Sequence, residues 1–125
     1  MINHVSIGVR SIAASKVFYD AVFEPLGCSC LSSGESFLGY GKDNVEFWLG
    51  SSTNPVLEHS ESGLHFCFDA ASREMVEAFY GAALWSGGRD NGKPGLREAY
   101  GPDYYAAFVI DPDGYRIEAY CSAQE

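Results

Sequence analysis

The two halves of the chain repeat each other at a constant offset, which constrains the fold more than any other feature of the sequence. The matched pairs lie 61 positions apart and are His4 and His65, Ser11 and Ser72, Phe18-Tyr19 and Phe79-Tyr80, Ala21 and Ala82, and Gly27 and Gly88. Self-similarity at a fixed offset indicates that one supersecondary unit is used twice. A site built between the units therefore has an approximate two-fold arrangement, in which the two histidines are equivalent.

Each unit opens with a strand and then a helix. The segment 4–9 alternates apolar and polar side chains, and so does the segment 64–69, which is typical of a strand with one buried face. Ser11 and Ser72 follow these strands as helix N-caps. The first helix is predicted to end around Pro25 and Gly27, and the second at Gly87-Gly88.

The remaining segments complete the two units. Shorter strands are predicted over 28–32, 36–40 and 45–49, a loop over 89–103, and two final strands over 104–110 and 115–120, joined by a tight turn at 111–114. We therefore predict one domain over residues 1–125, with module 1 at about 1–52, a linker at about 53–62 and module 2 at about 63–125.

Composition excludes some partners and locations. The chain has 8 Lys and Arg against 17 Asp and Glu, a net charge of -9, which argues against a nucleic-acid partner. No stretch approaches the roughly 18 apolar residues that span a bilayer. The four cysteines match neither a metal-binding spacing nor a disulfide framework, and the N-terminus lacks a secretory pattern. We therefore expect a cytoplasmic protein.

Strand alternation places two histidines and two glutamates on one side of the sheets. His4, Glu46, His65 and Glu118 each alternate with apolar neighbours, so helices that cover the apolar faces leave these four on the uncovered, concave side. Imidazole and carboxylate ligands suit zinc, nickel, iron, cobalt or manganese. Taken singly, each residue also fits a solvated strand position.

Several motifs carry a resemblance that covers almost the whole chain. They are Ile2-Asn3-His4-Val5-Ser6-Ile7-Gly8-Val9, Phe18-Tyr19, Gly39-Tyr40-Gly41, Gly63-Leu64-His65 and Asp111-Pro112-Asp113-Gly114-Tyr115-Arg116-Ile117-Glu118. With them the chain resembles the vicinal oxygen chelate superfamily, which includes glyoxalase I, bleomycin-resistance proteins and extradiol dioxygenases. The resemblance implies an α+β fold of two βαβββ modules, whose curved mixed sheets form a half-open barrel around a divalent metal.

The resemblance also implies roles for individual residues. His4, His65 and Glu118 are the implied metal ligands, with Glu46 as the fourth in a glyoxalase-like pattern, and Glu118 and Glu46 are the implied catalytic residues. A homodimer is implied as well, with the site built within one chain or across two. For Glu46 the alternative is a solvated strand residue, because a one-residue slip reverses its direction.

Aromatic residues are the candidates for substrate binding. Arg97, Tyr100 and Tyr104 are predicted to form a lid with one cation, or else to pack the long loop onto the barrel. Trp48 and Tyr120, with Tyr40, are candidate stacking surfaces. Relatives commonly carry a histidine near Tyr100, whereas this chain has Gly101 and Pro102.

Three functions compete at this point. The first is a metal-dependent lyase or isomerase like glyoxalase I, acting on a small substrate chelated through adjacent oxygens, although eight basic residues offer little grip for glutathione. The second is an Fe(II) extradiol-type dioxygenase, which uses the same ligands but needs a further acid/base histidine. His59, in the predicted linker, is an unsuitable candidate. The third is a metal-free binding or resistance protein.

Overall fold

The protein folds as two βαβββ modules, and the structure, a computed structural model, describes residues 1–55 and 62–122. Module 1 contains β1 (Val5–Val9), α1 (Ile12–Phe23), β2 (Ser29–Ser33), β3 (Phe37–Gly41) and β4 (Phe47–Ser51), and module 2 contains β5 (His65–Asp69), α2 (Arg73–Trp85), β6 (Arg89–Leu96), β7 (Tyr105–Ile110) and β8 (Arg116–Cys121). The predicted α+β fold is confirmed.

Each module forms one mixed sheet of four strands. The strand order is β1-β4-β3-β2 in the first sheet and β5-β8-β7-β6 in the second. The first strand of each module pairs in parallel with the last, and the other neighbours are antiparallel. The two sheets are not closed into a barrel, so the face of each sheet opposite its helix stays open.

Local sequence explains where the helices begin and end. The Ser11 hydroxyl accepts a hydrogen bond from the amide of Ala14, and the Ser72 hydroxyl accepts one from Met75, so both serines act as N-caps. A short 3-10 turn over 24–26 follows α1, and Gly27 ends it with a φ of 78°, a left-handed conformation that favours glycine.

One hydrophobic core lies between the sheets and the two helices. Its buried members lie on the apolar faces of both helices and of strands in both sheets, and include Val9, Phe18, Val22, Leu49, Phe79, Val109 and Ile117. The helices α1 and α2 pack against each other. The rings of Phe23 and Phe68 meet edge to face at 4.9 Å, so aromatic contacts join the modules.

Hydrogen bonds from the turn 111–114 and the adjacent Tyr115 connect this segment to module 1. The Tyr19 hydroxyl donates to Asp111 Oδ2 at 2.6 Å, and the other oxygen of Asp111 accepts from the amides of Asp113 and Tyr115. The Tyr115 hydroxyl donates to the carbonyl of Gly8 at 2.7 Å, and the amide of Arg10 donates to Asp113. This turn therefore ties the end of module 2 to the start of module 1.

The structure corrects one element of the sequence analysis. The first part of the predicted loop 89–103 is strand β6, which pairs with β7 through two register shifts. It is an edge strand, where Pro94 is tolerated because one side of the strand needs no partner. Most of the predicted linker, with His59, lies outside the described residues. In the described part of the chain, no helix is long and apolar enough to cross a membrane.

Candidate functional site

A histidine and a glutamate meet on the concave face of module 2. His65 is the first residue of β5, and Glu118 lies on β8 opposite Cys67. The Nε2 atom of His65 lies 3.2 Å from Oε1 of Glu118. The Glu118 side chain is 3% exposed and that of His65 49%. The carboxylate is thus buried, while the imidazole is still open to solvent.

Tyr104 forms a hydrogen bond with the second oxygen of the same carboxylate. Its hydroxyl donates to Glu118 Oε2 at 2.5 Å. The ring of Tyr104 packs on the ring of Tyr120, with centroids 4.2 Å apart, and meets Tyr100 edge to face at 5.3 Å. His65, Glu118 and the three tyrosines therefore form one cluster.

The pKa values of the Tyr104 hydroxyl and of the nearby Cys67 thiol are both raised, which favours their protonated forms. The pKa of the Tyr104 phenol is raised, first by desolvation and next by the hydrogen bond to Glu118. The pKa of the Cys67 thiol is raised to about 12, mainly by desolvation and then by the negative charge of Glu118. Both effects disfavour a second negative charge beside the carboxylate.

An open cavity of about 750 Å³ lies in front of the pair. It is lined by Gly63, Leu64, His65, Asn91, Ala99, Tyr100, Tyr104, Phe108, Arg116, Ile117 and Glu118. Sequence analysis did not single out Asn91, Phe108 or Arg116. Arg116 precedes Glu118 by two residues, so strand alternation was the signal that could have identified it.

Module 1 offers a different cavity, of about 550 Å³, on its own concave face. His4 and Trp48 both line it, and His4 is exposed, with its Nδ1 atom 2.7 Å from Oδ1 of Asn3. Gly8 and Gly50 are register partners that form its floor. The Trp48 ring lies over Gly39, where a Cβ atom would come within 2.7 Å of the ring. The cavity is therefore an open trough with an aromatic wall.

Glu46 lies immediately before β4 and is exposed. Its carbonyl accepts a hydrogen bond from the amide of Val5, which is next to His4. It lines a cleft of about 1040 Å³ between the modules, and His65 lines the same cleft. Glu46 is therefore near the backbone of the His4 segment but outside the cavity that His4 lines.

The strand registers reveal which residue of module 1 corresponds to Glu118. Glu118 is opposite Cys67 in module 2, and Trp48 is opposite Ser6 in module 1. Ser6 and Cys67 are related by the same offset as the two histidines. The repeat therefore places Trp48, rather than Glu46, at the position equivalent to Glu118.

The four predicted ligands do not meet within one chain. His4 lines the cavity of module 1, whereas His65 and Glu118 line that of module 2, and the two cavities share no lining residue. Over residues 1–55 and 62–122, no three His, Cys, Asp or Glu side chains are arranged to hold a metal ion. Of the two alternatives left open by the sequence, a site within one chain or across two, the described residues do not show the first.

Arg97 is engaged away from both cavities. Its guanidinium donates to the carbonyl of Lys93 at 2.6 Å and lies over the ring of Phe108, 5.3 Å from the centroid. Tyr100, by contrast, is 68% exposed at the rim of the module 2 cavity. Of the three predicted lid residues, Tyr100 and Tyr104 line the cavity. Arg97 instead packs on Phe108, which lines it.

The similarity of the chain to one solved structure assigns it to a protein family. No family model and no curated protein sequence matches the chain. Among solved structures, a glyoxalase/bleomycin resistance protein from Albidiferax ferrireducens T118 is similar, with 33% identity, a TM-score of 0.82, and coverage of 94% of this chain and 96% of that one.

Two more distant structures share the fold. A glyoxalase I mutant from Zea mays has 20% identity and a TM-score of 0.71, with coverage of 95% of this chain and 45% of that one. The fosfomycin resistance protein FosX from Listeria monocytogenes has 13% identity and a TM-score of 0.70, with coverage of 96% and 91%. On its sequence identity and near-complete overlap with the Albidiferax protein, the chain belongs to the glyoxalase/bleomycin resistance protein family, within the vicinal oxygen chelate superfamily.

Proposed function

We propose that the chain is a metal-dependent lyase or isomerase that acts on a small substrate bound through two adjacent oxygens. The observation that carries the proposal is the contact between His65 Nε2 and Glu118 Oε1 at the mouth of an open cavity. An imidazole nitrogen and a carboxylate oxygen at one point are a donor set that suits zinc, nickel, iron, cobalt or manganese. The family relationship supports the same assignment.

The site is proposed to be completed by a second copy of the chain. His65 and Glu118 supply two donors, and a catalytic metal of this type commonly takes three protein ligands. His4 lies on the other module and lines a separate cavity, and Glu46, the fourth candidate, belongs to the same module as His4. Two copies related by a two-fold axis would bring module 1 of each against module 2 of the other, giving two equivalent sites per homodimer.

The proposed chemistry divides between the metal and two carboxylates. A bound divalent cation would acidify the carbon next to the chelated oxygens and stabilise the negative charge that develops there. Glu118 orients the site from a buried position, and Glu46, which is exposed, is the residue proposed to take and return the substrate proton at its carboxylate. The open faces of both modules leave room for the substrate between them.

The cavities favour a small, weakly charged substrate. Trp48 and Phe37 line one cavity, and Tyr100, Tyr104 and Phe108 line the other. Arg97 interacts with Lys93 and Phe108 instead of lining a cavity, and Arg116 is the cation among the residues that line the module 2 cavity. Aromatic walls with few cations suit a planar or apolar group.

A second candidate is a metal-free binding or resistance protein. It is favoured by the absence of a three-ligand cluster among residues 1–55 and 62–122, and by the aromatic lining of both cavities. An Fe(II) dioxygenase uses the same ligands as the lyase, so the identity of the bound metal separates these two.

Metal analysis of protein purified without chelator tests the proposal. We expect one divalent ion per chain in the wild type and at least a hundredfold weaker binding in the variant His65→Ala, because the loss of one of three ligands leaves an incomplete site. The half-exposed position of His65 predicts that the variant folds normally. A metal content that His65→Ala leaves unchanged would refute the assignment, and a metal-free wild type would favour the binding protein.

A further inference from the structure

Both carboxylate oxygens of Glu118 have hydrogen-bond partners, and one of these partners is Tyr104, which has no role in the proposed proton transfer. Oε1 faces His65, and Oε2 accepts the hydrogen bond from Tyr104 at 2.5 Å. A carboxylate can bind a metal through one oxygen or through both. The hydroxyl of Tyr104 competes directly for the second oxygen.

Tyr104 is itself held in place on two sides. Its carbonyl accepts a hydrogen bond from the amide of Arg97 at 2.7 Å, which closes the loop before β7. Its ring is packed between Tyr120, at 4.2 Å, and Tyr100, at 5.3 Å. A side chain fixed at both its backbone and its ring gives its hydroxyl a defined direction.

We propose that Tyr104 is a positioning residue that holds Oε2 of Glu118, so that the carboxylate presents only Oε1, the oxygen beside His65, to the metal. This inference rests on the proposed function. Groups that hydrogen-bond to a metal ligand fix its orientation, and their removal typically weakens metal binding by about 10- to 100-fold. Tyr104 therefore acts through Glu118 and does not touch the metal.

The chain contains a matched control one residue away. The hydroxyl of Tyr105 donates to Oε2 of Glu77 at 2.6 Å, on the opposite face of the sheet. Tyr104→Phe and Tyr105→Phe each remove one hydroxyl from a tyrosine–carboxylate hydrogen bond. Only the first of them touches a candidate metal ligand.

The test uses Co²⁺ alone as the probe, with the full chain, and two measurements. The first is affinity in competition with a chromophoric chelator, and the second is the visible absorption of bound Co²⁺, which reports coordination number. We expect Tyr104→Phe to bind Co²⁺ about 10- to 100-fold more weakly and to change the spectrum, because both oxygens of Glu118 become free to bind. We expect Tyr105→Phe to change neither.

The outcomes separate this inference from the proposed function. Wild-type affinity and spectrum in Tyr104→Phe would overturn the positioning role while leaving the metal site intact. A wild type that takes up no Co²⁺ would overturn both. Equal losses in the two variants, without a spectral change, would show a general loss of stability and would also overturn it. Thermal unfolding of the metal-free proteins checks that both variants are folded at the temperature of the titration.

Discussion

The two modules have the same order of strands and helix, but the side chains on their open faces differ. Module 2 carries a buried carboxylate, a histidine against it and a tyrosine that fixes the carboxylate. Module 1 carries an exposed histidine, a floor of glycines and Trp48 at the position equivalent to Glu118. The repeat has therefore diverged, with one half presenting a buried, hydrogen-bonded carboxylate and the other an open cavity with an aromatic wall.

The same divergence is visible at the equivalent tyrosines of the two helices. Tyr19 is fully buried and donates to Asp111, which is also buried. Tyr80 donates to Asp90 at 3.0 Å in an exposed pair. One tyrosine fastens the modules together, and its counterpart makes a surface contact.

The largest effect on stability is expected from removal of the Tyr19 hydroxyl, which belongs to the buried one of the two equivalent tyrosines. Tyr19→Phe should lower the free energy of unfolding by about 1–3 kcal/mol, because a buried carboxylate loses a hydrogen bond. Tyr80→Phe removes a hydroxyl from an exposed pair and should cost much less. Urea unfolding of both variants checks the difference, and equal losses would contradict the assigned role of Tyr19.

The loss in Tyr19→Phe should also depend on pH. Burial raises the pKa of Asp111, and the hydrogen bond from Tyr19 opposes that rise. A carboxyl whose folded-state pKa is raised contributes stability that is present at low pH and is lost as the pH rises through that pKa. Removal of the hydroxyl raises the pKa further, so the loss should be larger at about pH 7.5 than at about pH 4.5. A loss independent of pH would contradict this explanation.

A smaller effect is expected from making module 1 more like module 2. Trp48→Glu places a carboxylate at the position equivalent to Glu118, in the cavity that His4 lines. Because it adds a carboxylate ligand on the side of His4, we expect it to tighten metal binding by about tenfold, or about 1.4 kcal/mol. Competition with a chelator measures this change, with Trp48→Gln as the control of similar size and no charge. Equal affinities in the two variants would contradict the proposed equivalence.

The sequence was sufficient to predict the opening strand and helix of each module and the faces of the alternating strands. Strand alternation placed His65, Glu118 and Tyr120 on one face because a period of two is a local property of the chain. The N-caps Ser11 and Ser72 were likewise local. These features needed no knowledge of which strands pair.

Features that depend on pairing or on contacts distant in sequence were not predictable in the same way. Alternation over the predicted strand 45–49 put Glu46 on the same side as Glu118, but the register that sets Trp48 opposite Ser6 arises only when β1 and β4 pair. Strand β6 was read as a loop because its glycines and Pro94 indicate turns, whereas an edge position tolerates them. The hydrogen bond of Tyr104 to Glu118 depends on how a loop folds back over β8.

The proposed metal site combines module 1 of one chain with module 2 of another. The direct test is a mixed dimer of His4→Ala and His65→Ala subunits, each carrying a different affinity tag and purified on both tags in turn. Each homodimer should bind no metal, whereas the mixed dimer has one site with both substitutions and one with neither. We predict one ion per mixed dimer. A mixed dimer as empty as both homodimers would contradict a site shared between two copies.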